Sequence, residues 1–135
     1  MLICDISLLN KNGKHLLDRM LGDLAMDWRE LVVMLVIDRD PGIPQRRLVP
    51  YLQTDKANVT KALQTMENKG LIRRDPDPQD QRNKVCSLTG QGARLIPELT
   101  GILSAWEAAC LRGLNMEDLN AFHRISKVII SNLDM

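Results

Sequence analysis

At 135 residues the chain is long enough for one domain with a real core and too short for a two-domain enzyme. Cysteines at positions 4, 86 and 110 have no CxxC spacing and His15 and His123 lie far apart, which argues against a metal site or a disulfide framework and for a reducing, cytoplasmic setting. The net charge of +1 is unevenly spread: nine Lys or Arg against five Asp or Glu fall between Ile43 and Val85, leaving the remainder net negative, so that segment suits phosphate contact.

In chain order, Asp5 to Leu24 predicts a first helix, with Leu8, Leu9, Leu16, Leu17, Met20, Leu21 and Leu24 at mostly helical intervals. Gly13 weakens its middle by up to about 1 kcal/mol relative to alanine, enough to break it. The run Leu31 to Ile37 has the composition of a buried strand, but Asp27-Trp-Arg-Glu30 is a capping box directly before it, which predicts a helix. Asp40-Pro-Gly42 stops that element, and Pro44 is placed to open a short third helix ending near Leu52. Pro50 inside it removes a backbone donor at about 3 kcal/mol, so this helix is expected to be kinked or shortened.

The next segment carries the function. Thr54 or Asp55 can cap a helix in which Val59, Ala62, Leu63 and Met66 form the apolar face and Lys56, Thr60, Lys61 and Gln64 the polar one, with Gly70 as its left-handed stop. Leu71 to Arg74 and Lys84 to Leu88 are two short runs able to pair as strands, separated by the turn-rich Asp75 to Asn83. A DNA-reading helix followed by a basic-tipped hairpin is the working end of a winged helix-turn-helix. Major-groove base edges match polar and basic side chains on such a helix, and a narrow minor groove attracts a guanidinium such as that of Arg82. Arg46 and Arg47 are placed for phosphates, and Thr54, Arg73, Arg74 and Lys84 complete the candidate DNA-binding set. Thr89 then caps a long helix with Leu95, Leu99, Ile102, Leu103, Trp106 and Cys110 on one face, bent early by Pro97 and closing near Gly113. Asn115-Met-Glu-Asp118 opens a last helix with Leu119, Phe122, Ile125, Ile129 and Leu133 in register. Cys86 and Cys110 read as small buried hydrophobes. No apolar run approaches the roughly 20 residues that span a bilayer, and no secretory signal opens the chain.

This order of elements, with Val59-Thr60-Lys61, Met66 to Arg74, Asp77 to Arg82 and Leu88-Thr89-x-x-Gly92, resembles the MarR family of bacterial transcriptional regulators over nearly the whole chain. The resemblance implies a mainly α fold with a small antiparallel β-wing. About 28–89 would form a winged helix-turn-helix lobe, and about 1–24 and 90–135 dimerisation helices, in one domain. It also implies a homodimer on a pseudo-palindromic double-stranded operator, acting as a repressor released by a small aromatic effector, with no cofactor. Lys56, Asn58, Thr60, Lys61 and Gln64 match the base- and phosphate-contacting helix, and Arg82 matches the wing-tip arginine. Asp80 matches an acid that braces the wing, with Arg73 or Arg74 as its expected partner. His15, Trp28 and Met34 fall near the family's effector cavity. The chain departs from the pattern at Pro50 and at Ala57, which stands where a small hydroxyl residue is frequent. Two other functions fit the same residues: a winged-helix module for an acidic protein partner, and a redox-sensing regulator for which Cys4 is the one comparable residue, although it lacks a basic neighbour. No nucleophile with a nearby base, carboxylate pair or phosphate-cradling glycine loop supports an enzyme.

Overall fold

Asp27 accepts a hydrogen bond from the Glu30 amide at 3.0 Å, and the apolar run behind it is helical, as that cap requires. The computed structural model describes residues 1–134 and places the elements as α1 (Leu2–Leu21), α2 (Trp28–Arg39), β1 (Ile43–Pro44), α3 (Val49–Leu52), α4 (Lys56–Asn68), β2 (Ile72–Pro76), β3 (Lys84–Leu88), α5 (Gly90–Cys110) and α6 (Met116–Leu133). Met135, the final residue of the expected C-terminal dimerisation segment, lies outside the described residues. The fold is mainly helical with one small antiparallel sheet, as expected.

Three local expectations need correction. α1 runs unbroken through Gly13. A Cβ there would stand 3.4 Å from the Trp106 ring, and the Trp106 indole donates to the Gly13 carbonyl at 2.9 Å, so the glycine is where α5 closes on α1. Pro44 sits in β1, an edge strand paired with β3 (Ile43 opposite Cys86, Pro44 opposite Val85), and caps a 3-10 turn, so the α-helix expected from it begins only at Val49. An edge position tolerates a residue without an N–H. The sheet therefore has three strands in the order β1-β3-β2, not two. Pro50 lies in the first turn of α3, which follows a 3-10 turn at Gln45–Leu48; its missing donor is needed by nothing there.

β2 and β3 pair from Ile72 opposite Leu88 to Pro76 opposite Lys84. Leu21, Met34, Ile37, Leu63, Met66 and Leu99 are fully buried where α1, α2, α4 and α5 meet the sheet. α5 starts hard against the sheet. Thr89 accepts from the Gly92 amide at 3.0 Å and donates to the Gly70 carbonyl at 2.6 Å, and a Cβ on Gly92 would lie 2.1 Å from the Leu71 carbonyl oxygen. At the other end, Asn115 and Asp118 form a reciprocal capping box for α6. No residue of α6 is buried within the single chain, and Phe122, Ile125, Val128, Ile130 and Leu133 are exposed, as are Leu2, Ile3, Ile6, Leu8 and Leu9 of α1. Cys110 is also exposed, contrary to its expected burial, because it is the last residue of α5 and lies beyond Trp106, where the packing of that helix against the core ends.

Candidate nucleic-acid interface

α4 begins at Asp55, whose carboxylate accepts from the Asn58 amide at 2.8 Å, and ends at Gly70, held at φ +78° with the Leu71 amide reaching back to the Met66 carbonyl. Val59, Leu63 and Met66 face the core, which turns Lys56, Asn58, Thr60, Lys61 and Gln64 to the outside. Thr54 accepts from the Asn58 side-chain amide at 3.0 Å, and Thr60 donates to the Lys56 carbonyl at 3.0 Å while accepting from Gln45 at 3.0 Å. The rear of the helix is pinned too: the Lys69 ammonium donates to the Ala25 carbonyl at 2.8 Å and to the Glu30 carboxylate at 2.7 Å.

At the wing tip the Arg82 side chain is 90% exposed. Its Nε and Nη2 donate to the Asp80 carboxylate at 3.1 and 3.3 Å, its main-chain amide does so at 3.1 Å, and the Asn83 amide adds a fourth bond at 3.3 Å. The Arg82 side chain and then its main-chain amide hold the Asp80 carboxyl below its ordinary pKa. Asp80 thus braces the tip through Arg82, which corrects the expected pairing with Arg73 or Arg74. Arg73 instead pairs with Asp75 at 2.7 Å, both groups well exposed.

Arg74 is the larger correction to the DNA-facing set. Successive strand residues face opposite ways, and this one faces inward: its side chain is 5% exposed. Nη2 donates to Gln64 Oε1 at 2.8 Å and Glu67 Oε1 at 3.1 Å, Nη1 donates to Gln45 Oε1 at 3.2 Å, and the Arg74 main-chain amide donates to Glu67 Oε2 at 3.2 Å. Arg74 joins the first wing strand to α4 and to the turn before α3. Gln45 and Glu67 were not among the sequence candidates. A signal existed for Glu67, since the Gly70 stop folds the chain so that an acid ahead of it can face a base just behind it.

Arg46 and Arg47 are exposed beside this assembly, Arg47 in a solvent-facing pair with Asp40 at 3.3 Å. A cleft between α4 and the wing is lined by Arg46, Lys56, Thr60, Arg74, Arg82 and Lys84, together with Gln45, Val49 and Asn83, and by no carboxylate. A second cleft, behind α4, mixes Arg29 and Lys61 with Asp27 and Glu30. His15, Trp28 and Met34 line neither: Met34 is in the core, His15 is exposed, and the Trp28 ring lies between the Lys14 ammonium (3.8 Å) and the Arg29 guanidinium (5.1 Å). Of the cysteines, Cys4 is exposed, while burial pushes the Cys86 thiol up to about 11. Among the described residues no helix is long and apolar enough to cross a membrane.

The model of the MarR family matches residues 26–84, the span from just before α2 to the first residue of β3. Transcriptional regulator HosA of Escherichia coli O111:H- is 29% identical over 102 residues, 76% of each chain. A MarR transcriptional regulator from Methanosarcina mazei Go1 superposes with a TM-score of 0.88 at 22% identity, over 97% of this chain and 94% of that one. A mutant MarR from E. coli complexed with operator DNA gives a TM-score of 0.80 at 22% identity, over 92% and 89% of the two chains. At these identities the structural likeness speaks to the fold alone.

Proposed function

We propose that the chain is a member of the MarR family and, as such, a sequence-specific, double-stranded-DNA-binding transcriptional regulator acting as a homodimer. The observation that carries the reading is the cleft free of carboxylates: the outer face of α4 and the Arg82-tipped wing flank one concentration of cations on a chain that is nearly neutral as a whole. Counterion release from phosphates favours binding there, and base edges are within the province of Lys56, Asn58, Thr60, Lys61 and Gln64, with Thr54, Arg46, Arg47, Arg73 and Lys84 on the flanking backbone. Residues 28–89 serve as the DNA-binding lobe in this reading. The segments 1–24 and 90–135 pair two copies, because the exposed apolar residues of α1 and α6 have no cover within one subunit. The family resemblance further supports a cytoplasmic repressor that acts by binding, not catalysis, and lets go of its operator when a small aromatic effector binds.

Titration of labelled duplexes from upstream of its own gene tests the proposal. Specific retention should fall with salt at a log–log slope near −0.9 per phosphate neutralised, and a footprint should show half-sites about 10 base pairs apart. A purified protein that retains no duplex at low salt would instead be a module for an acidic protein partner.

A further inference from the structure

The hydrogen bonds around Arg74 form one continuous chain: Thr60 to Gln45, Gln45 to Arg74, Arg74 to Gln64, and Gln64 to Asn68. A guanidinium can only donate, so Arg74 Nη2 selects the oxygen of the Gln64 carboxamide. At the other end the Gln64 nitrogen donates to Asn68 Oδ1 at 3.1 Å, a carboxamide that can turn with it, so the Arg74 contact is the one that fixes the orientation. Reversing the amide would set donor against donor at Arg74. Asn58, by contrast, is held at its side chain by one bond to a hydroxyl, which can donate or accept and so fixes no orientation. Arg74 in turn is kept inward by Glu67.

From this geometry we propose that Arg74 is a positioning residue for sequence readout, and that Gln64, held in one amide orientation by it, selects adenine; the inference rests on the DNA-binding function proposed above. Gln64 sits on the exposed side of α4. With one bond used at each end, its oxygen retains a lone pair and its nitrogen a hydrogen, an acceptor beside a donor. Adenine offers the matching N6 amino group and N7 in the major groove, whereas guanine offers two acceptors there. Freezing the amide before DNA arrives removes the wrong orientation from competition.

Selection of the full-length dimer on duplexes randomised over both half-sites reads this directly. Wild type should enrich adenine at one symmetric position by about 10-fold or more. Gln64→Glu, which can accept but not donate, should shift that single position toward cytosine. Arg74→Lys, which keeps the charge of the cleft, should flatten the same position far more than it lowers the affinity for scrambled duplex. Should the lysine variant fail to fold, the exposed Gln64→Glu carries the test alone. A wild type that selects a sequence whose preferences survive Gln64→Glu overturns the inference and leaves the function standing. So does an Arg74→Lys variant that loses affinity equally on all duplexes, because Arg74 would then contribute to general backbone contact and not to readout. Retention of no duplex at all overturns function and inference together.

Discussion

Arg82 Nε lies 3.1 Å from the carboxylate of Asp80, which the Arg82 main-chain amide also reaches, so side chain and backbone of one residue are gathered by the same acid. The arginine that reaches outward is thereby aimed by a neighbour two positions earlier. Arg82→Ala should weaken binding to most duplexes and reduce the magnitude of the salt slope by about 1, with the melting temperature unchanged. A parallel fall in melting temperature would make Arg82 a structural residue instead.

The same contact makes the wing tip sensitive to acid. The folded-state pKa of Asp80 is depressed, so its bracing is present above the ordinary carboxylate range and is lost as pH falls through the lower folded value. Protection of the amides at residues 80–83, measured against their intrinsic exchange rates, should fall at low pH before that of the core, and Asp80→Asn should remove that early loss. Synchronous exchange of tip and core at every pH would contradict it.

Gly70→Val should destabilise the fold by roughly 1–3 kcal/mol, since a branched residue is strained at φ +78°. Gly101→Ala is the control: this helical glycine has open space around it, and alanine there should be neutral or stabilising by up to about 1 kcal/mol. Urea midpoints compare the two; equal midpoints would mean that α4 does not stop at Gly70.

Gly92→Ala tests close approach, not backbone conformation. The added methyl would meet the Leu71 carbonyl, a main-chain atom, so the start of α5 must move away from β2, at roughly 1–3 kcal/mol. Thermal melts read the loss directly, and wild-type stability would show that α5 seats differently.

Thiol labelling at pH 8 should spare Cys86, whose burial holds it protonated, while Cys4 and Cys110, exposed within one subunit, react unless a second copy covers them. All three should react in urea. The raised Cys86 pKa also means that stability declines as pH rises from the ordinary thiol range toward about 11, because the unfolded chain ionises first. Protection of Cys110 as well would indicate that a second copy covers α5.

Local signals were legible in advance and relational ones were not. The caps at Asp27, Asp55, Thr89 and Asn115 and the stop at Gly70 each depend on residues within a single turn, and each element stands where those signals put it. β1 is two residues long and exists only through its pairing with β3, more than 40 positions away, so Pro44 looked like a helix opener. Of Arg73 and Arg74, alternation requires that one turn inward, but only the position of Glu67 across the Gly70 stop decides which. For the effector residues His15, Trp28 and Met34, neither described cleft brings them together.

Lys69, gripping Ala25 and Glu30 from the far end of α4, has an evolutionary corollary. A rod fastened behind and capped in front keeps its direction, so exchanges at positions 56 and 61 alter chemical taste without altering aim. Descendants of this protein can therefore acquire new target sequences one surface side chain at a time, on an unchanged mount.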